Sequence, residues 1–224
     1  VIDEGYVENN VKILRLLDEF HMPFFVSYFY NPEYVTHYVV TSHRESSKQL
    51  TMQLLQNGHR RILLVKGLEC TSIDERVAGY RDAHREFGID VDERLIVAVN
   101  DNHLHPDTDP AEVERLKTSI RQAGGFDVFH ALNCTILRSG IDVLLDLGVV
   151  IGEQVQLALH DDVSNVYPPY TDNILHVVQP SSRMGWEAAK VLFEEIRHPK
   201  QKTVHIVLNS ELKYPSETNR GRLK

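Results

Sequence analysis

Apolar residues at Val7, Val11, Leu14, Leu17 and Phe20 recur at helical spacing, so the first element is an amphipathic helix. "PFFVSYF" (23–29) and "HYVVT" (37–41) are dense in aromatic and β-branched residues and read as strands. "SHRE" (42–45) has the Ser-x-x-Glu pattern of a capping box, in which Ser42 accepts from an early backbone N–H and Glu45 reaches back. The helix it opens buries Leu50, Leu54 and Leu55, and Gly58 suits a left-handed exit. "RILLVKG" (61–67) has no polar alternate, the pattern of a strand covered on both faces. "SIDE" (72–75) is a second capping box, after which Ile73, Val77, Tyr80, His84 and Phe87 stripe one helical face as far as Gly88.

The cycle then repeats. "LIVAV" (95–99) precedes a helix opened by Asp109, Pro110 and Glu112. "DVFHAL" (127–132) precedes a helix ending near Gly148, and "VQLAL" (155–159) runs into a loop. "ILHVV" (174–178) precedes a helix from about Ser182 to Arg197, and "TVHIVL" (203–208) leads into a polar tail. Strand–helix alternation with short connections predicts an α/β fold with a doubly wound parallel sheet and right-handed crossovers. Ligands of such sheets sit beyond the carboxyl ends of the strands, so the residues that follow each strand are the informative ones.

Those positions hold Tyr28, Phe29 and Tyr30; Ser42 and Glu45; Cys70, Ser72 and, one turn on, Arg76; Asn100 to His105; Asn133 and Cys134; His160, Asp161 and Asp162; Gln179 and Ser181. The set is polar, mixed in charge and partly aromatic, which suits a small hydroxyl-rich molecule: carboxylate and guanidinium bind hydroxyls in pairs and a ring covers an apolar face. Structural roles compete at each position. Ser42, Ser72 and Asn133 can serve as helix caps, Asp161 can cap a turn, and Arg76 can pair with Asp74 or Glu75 on a solvated face. Cys134 reads as a small packed thiol, and Trp186 as a packing or interface residue.

Composition narrows the classes. With 224 residues, 42% hydrophobic and 25% charged, the chain is long enough for a substantial core and too apolar for disorder. A net charge of −8 disfavours direct contact with nucleic acid, which requires a basic surface. Two cysteines, Cys70 and Cys134, fit neither a disulfide scaffold nor a zinc ribbon and point to a reducing compartment. "HLH" (103–105) beside Asp101, Asp107 and Asp109 is a loose echo of a metal site, and no metal is expected there. GxSxG, GxxxxGK[ST], HExxH and GxGxxG are all absent from the sequence, so no cofactor is implied and enzyme chemistry is the weaker expectation.

Four segments occur in order: "NGHRRILLVKG" (57–67), "ERVAGYRDAHREFGI" (75–89), "FDVFHALNCTILRSGIDVLLDLGVVIGEQVQLALHDD" (126–162) and "HVVQPSSRMGWEAAKVLFEEI" (176–196). Together they resemble the effector-binding domain of LacI/GalR-type transcription regulators, whose fold is that of the type I periplasmic sugar-binding proteins. The resemblance implies two doubly wound lobes joined by a three-strand hinge, with an amino-terminal lobe lacking its first β/α units. It puts residues 1–58 and 179–207 in that partial lobe and 59–178 and 208–224 in the other. The Gly58-His59 turn is then the first of three crossings, followed by crossings near Val178 and Leu208. By motif, Arg76, Asn133, Asp161 and Gln179 take the ligand positions, Glu45 and Ser72 less constant ones, and Tyr28 and Phe29 supply aromatic surface. Cys134 and Ser181 depart from the family pattern, which usually has Asp and an aromatic ring there.

The resemblance implies a cytoplasmic sensor of a sugar or related metabolite. It would act as a homodimer through helix 134–147 (Leu137, Ile141, Leu144) and "VYPPY" (166–170), and reach operator DNA through a headpiece outside this chain. An extracytoplasmic sugar-binding protein of the same fold, and an α/β enzyme using Asp161, His160 or Cys134, are the alternatives.

Overall fold

The computed structural model describes residues 7–28, 30–32, 34–102, 104, 109–163, 170–199 and 202–215. Helix α1 (Val7–Glu19) is followed by strands β1 (Val26–Ser27) and β2 (Tyr38–Thr41), then helix α2 (His43–Gln56). The alternation continues through β3 (Ile62–Lys66), α3 (Thr71–Phe87), β4 (Ile96–Ala98), α4 (Pro110–Gln122), β5 (Val128–Ala131) and α5 (Cys134–Asp146). It closes with β6 (Gln156–Leu159), β7 (Leu175–Val178), α6 (Ser181–Arg197), β8 (His205–Leu208) and β9 (Glu211–Lys213).

Two parallel sheets result. The small one has the order β1-β2-β8, and the large one β4-β3-β5-β6-β7-β9, parallel except for the β7–β9 pair. In the large sheet Leu63, Val65, Phe129 and Ala131 face one core with α4 and α5, while Ile62, Leu64, Val128 and Leu132 face a second core with α2 and α3. Burial on both faces is why β3 and β5 carry unbroken apolar runs. On the small sheet, Met184 and Ala188 of α6 pack on Val39 and Leu208, and Leu14 of α1 packs on Val26. Strand β9 lies in what the sequence presents as a polar tail; Leu212 touches the core while Glu211 and Lys213 stay exposed, a charged edge that discourages further pairing.

The sheet assignment moves the first crossing. Leu50, Leu54 and Leu55 of α2 share a core with Leu64, Tyr80 and Val177, so α2 belongs with the large sheet and the chain crosses at Ser42 instead of Gly58. Gly58, at φ +99°, ends α2 with Gly58 N–H donating to Leu55 O and His59 N–H to Leu54 O, and returns the chain to β3 in the same lobe. An apolar stripe says that a helix covers a sheet, not which one. Leu208, expected in the large lobe, pairs with Thr41 in the small sheet. Helices α2 and α3 cross so closely at Gly79 that a Cβ there would collide with the Arg44 carbonyl.

Helix starts divide sharply. Asp109 caps α4 through Ala111 N and Glu112 N, and Asn133 caps α5 through Ile136 N. Neither capping box forms: Ser42 makes no side-chain cap bond, Glu45 instead accepts from Gln49, and the cap of α3 is Cys70, with Ser72 already inside the helix. Trp186 is 67% exposed on α6, so it is not a packing residue of this chain.

Candidate functional site

The chain changes sheets after β2, after β7 and after β8, and hydrogen bonds join these three points. Thr41 Oγ1 donates to Gln179 Oε1 at 3.3 Å, and Ser42 N–H donates to Leu208 O at 2.9 Å. Each strand delivers its last residue to the same level because the strands are parallel and in register.

Polar side chains gather where the crossings meet the large sheet. Arg76, 6% exposed in the second turn of α3, donates from Nη1 to the Leu132 carbonyl at 2.6 Å. Its Nε and Nη2 each lie 3.4 Å from Nδ1 of His43, the first residue of α2. Asp161, just beyond β6, accepts from Gln179 Nε2 at 3.2 Å and from the backbone N–H of Cys134. Asn133 uses its oxygen as the α5 cap and donates its amide nitrogen to Asp101 at 2.6 Å. Tyr28 donates from its hydroxyl to Ser181 Oγ at 3.1 Å, and its carbonyl accepts from His43 Nε2 at 2.8 Å.

Arg76, Asp161, Gln179 and Tyr28 are therefore joined through His43 and Thr41, whereas the Asn133 side chain turns to Asp101 and the start of α5. Arg76 is buried and does not sit on the solvated face where Asp74 or Glu75 could pair with it. Two expected site residues stay out. Ser72 is buried against Cys70 Sγ at 3.1 Å on the core side of α3. Glu45 is exposed on the first turn of α2 and borders a separate cavity of about 250 Å³ beside Tyr30, Tyr38 and Glu75. Phe29 lies outside the described residues, as do His103, His105 and Asp107; among the described residues no group of three metal-ligating side chains occurs. A larger cavity, about 470 Å³, sits at the amino ends of the strands beside Gln53, Asn57, Gln156 and Tyr214, the wrong end of the sheet for this site.

Burial and the Arg76 charge set the electrostatics. His43 and His130 are pushed down to about 3, first by burial and then by Arg76, and His160 well below its usual range for the same reasons. All three imidazoles are neutral at physiological pH. Burial raises the Asp161 carboxyl, while Arg76 and Gln179 act in the opposite direction. Burial, with Asp161 and Asp162 adding to it, pushes the Cys134 thiol up to about 12, and its Sγ donates to the Asp162 carbonyl at 2.9 Å. Such a thiol is a packed group and not a nucleophile.

Sequence reasoning missed His43 and Thr41, which connect Arg76 to Gln179. His43 opens α2 inside a Ser-x-x-Glu stretch whose spacing points to Ser42 and Glu45 instead. The result, among the described residues, is a cluster of mixed hydrogen-bond donors and acceptors near the carboxyl ends of the strands.

The proposed partner surface also changes. Leu137, Ile141 and Leu144 are buried in the core shared with Phe129 and Leu157, so they are not presented to a second chain. The exposed side of α5 carries Thr135, Arg138, Asp142 and Leu145. Residues 166–169 of the second expected contact lie outside the described residues.

A family model described as a periplasmic binding protein-like domain matches residues 51–214. The HTH-type transcriptional regulator CelR of Thermobifida fusca is 29% identical over 185 residues, covering 81% of this chain and 52% of that protein. The HTH-type transcriptional regulator AscG of Escherichia coli is 28% identical over 137 residues, covering 61% of this chain and 38% of that protein. The chain thus spans about half or less of the length of these relatives. Among solved structures, a transcriptional regulator CelR–cellobiose complex superposes with a TM-score of 0.76 at 26% identity, covering 90% of this chain and 60% of that one. The chain belongs to the periplasmic binding protein-like domain family, in the form that serves LacI-type transcription regulators as their effector-binding domain.

Proposed function

We propose that this chain senses a sugar or related small metabolite in the cleft bounded by Arg76, Asn133, Asp161, Gln179 and Tyr28. It would pass the binding event to operator DNA through a headpiece outside the chain. The observation that carries the reading is the convergence of a buried guanidinium, a carboxylate and an amide at the three lobe crossings, joined by the Thr41–Gln179 and Gln179–Asp161 bonds. A ligand held there contacts the segments whose geometry sets the angle between lobes, so it favours one lobe arrangement over another.

The likeness to CelR supports a regulator over a transporter's binding protein, and its cellobiose complex makes a β-linked disaccharide the first effector to try. Hydroxyl pairs fit the Asp161 carboxylate and the Arg76 fork, and Tyr28 offers ring surface. The chain is read as a binding protein and not an enzyme, since Cys134 is a protonated thiol and the three nearby histidines are too buried to exchange protons at neutral pH. We place it in the cytoplasm, as its regulator relatives require; among the described residues no helix is long and apolar enough to cross a membrane. Regulation by paired half-sites calls for a homodimer, with α5 contributing Thr135, Arg138, Asp142 and Leu145 in place of its buried leucines.

A thermal-shift screen with cellobiose, other mono- and disaccharides, sugar phosphates and nucleobases tests the reading. A sugar that raises the melting temperature of the parent but not of Asp161→Asn supports it. Equal stabilisation of both, or no stabilisation by any sugar, removes it.

A further inference from the structure

Tyr28 has φ +69°, in the left-handed region that a bulky side chain rarely enters. Such a conformation persists only where its surroundings hold it. Three bonds do so here, one of them from the Tyr28 N–H to Val39 O at 3.3 Å. The Tyr28 hydroxyl meets Ser181 on α6, and the Tyr28 carbonyl meets His43 Nε2 at 2.8 Å.

The carbonyl bond fixes the chemistry of His43. A carbonyl only accepts, so Nε2 carries the proton and Nδ1 is bare. The bare nitrogen faces Arg76, whose Nε and Nη2 stand 3.4 Å away and can only donate. Thr41 Oγ1 is 3.1 Å from the same nitrogen and 3.3 Å from Gln179 Oε1, so its single proton lies within reach of both acceptors. One turn further on, Ser46 Oγ bonds His160 Nε2 at 2.9 Å, which ties the opening of α2 to the residue preceding Asp161. His43 is 1% exposed, and its ring stays in one protonation state because burial and Arg76 disfavour the imidazolium. The charged and titratable groups acting on the His43–His160 pair are Arg76 of α3, His130 of β5 and each other.

We propose that His43 is a positioning residue that connects Arg76 in the large lobe to the strained Tyr28 in the small lobe, so that a change at the guanidinium is transmitted across the first crossing. The imidazole acts as a two-ended spacer: it accepts at one nitrogen, donates at the other, and neither bond survives rotation of the ring. When a ligand engages Arg76, the acceptor side of His43 changes partner strength, and the Tyr28 carbonyl is held more or less firmly in consequence. The part of this statement that concerns ligand rests on the sensor reading above; the bond chain itself does not.

Hydrogen–deuterium exchange on the chain without ligand tests the connection. His43→Leu should raise exchange across residues 26–41 by tenfold or more and leave residues 62–66 of β3 within twofold. His43→Gln, which keeps a donor and an acceptor at similar reach, should restore the 26–41 rates to within threefold of the parent. Arg76→Met should speed the same segment at least threefold in the parent and less than 1.5-fold in His43→Leu, because the path is already cut. Should His43→Leu fail to fold, His43→Asn, too short to span both partners, replaces it. Equal effects of Arg76→Met in both backgrounds, a rise of similar size in 26–41 and 62–66, or a Gln variant no better than Leu would each overturn the proposal. None of these readings needs a sugar, so failure of every sugar to bind would count against the sensor reading alone.

Discussion

Gln179 and Asp161 meet across the second lobe crossing, with Gln179 Nε2 donating to Asp161 Oδ1 at 3.2 Å. Gln179 follows the last residue of β7 and precedes the helix that covers the small sheet, whereas Asp161 lies two residues beyond β6 of the large one. A ligand hydroxyl that displaces the amide from the carboxylate therefore acts on the junction itself. A hydrogen bond to a charged group contributes roughly 1.5–3 kcal/mol. Asp161→Asn should accordingly weaken sugar binding by about 10-fold to 100-fold, read by calorimetry, while leaving the melting temperature of the unliganded chain within a few degrees.

The buried face of α5 leads to a different expectation from an interface role. Leu137 and Leu144 are fully buried. Leu137→Ala should destabilise the chain by about 2–5 kcal/mol, measured by urea unfolding, and Leu137→Asp should give no folded protein. Asp142→Arg, on the exposed side, should leave stability unchanged and alter self-association measured by light scattering.

Acid stability follows from the histidines. His43 and His130 titrate near 3 in the folded chain against an ordinary 6.5, so between those limits the unfolded chain binds more protons than the folded one. Stability therefore falls as pH drops through 6.5 towards 3, by about 1.4 kcal/mol per pH unit for each such group. Both ring nitrogens of His130 are buried without a protein partner. His130→Phe should make the acid limb of a stability–pH curve shallower and cost little at pH 8, where the imidazole is an unsatisfied polar group. An unchanged slope would show that other groups set the acid limit.

The α2–α3 crossing gives a stability test independent of any ligand. A Cβ at Gly79 would collide with the Arg44 carbonyl, a backbone atom that has no easy way to yield. Gly79→Ala should cost about 3 kcal/mol or more, seen as a lower urea midpoint. Gly185→Ala, in open space on α6, should be neutral or slightly stabilising.

Much of the large lobe was legible in the sequence because its strands are buried on both faces and its helices carry clear stripes: "RILLV" and "DVFHAL" could be little else. The positions of Arg76, Asn133 and Asp161 after those strands follow from the same pattern, since a parallel sheet delivers its strand ends to one side. What escaped was long-range. The stripe of Leu50, Leu54 and Leu55 fits either sheet, so it does not by itself place the first crossing. The Ser-x-x-Glu spacings matched capping boxes, yet His43 and Cys70 occupy the turns and impose other partners. The apolar face of α5 reads alike for a core and for an interface; only the position of Phe129 and Leu157 decides it.

Hydrogen–deuterium exchange with and without the sugar that shifts the melting temperature tests the placement of the site most directly. Protection should concentrate in residues 26–43, 71–79, 131–136, 159–163 and 176–184, which surround Arg76, Asp161 and Gln179. Protection confined to residues 53–59 and 211–215, beside the cavity at the opposite end of the sheet, would contradict it.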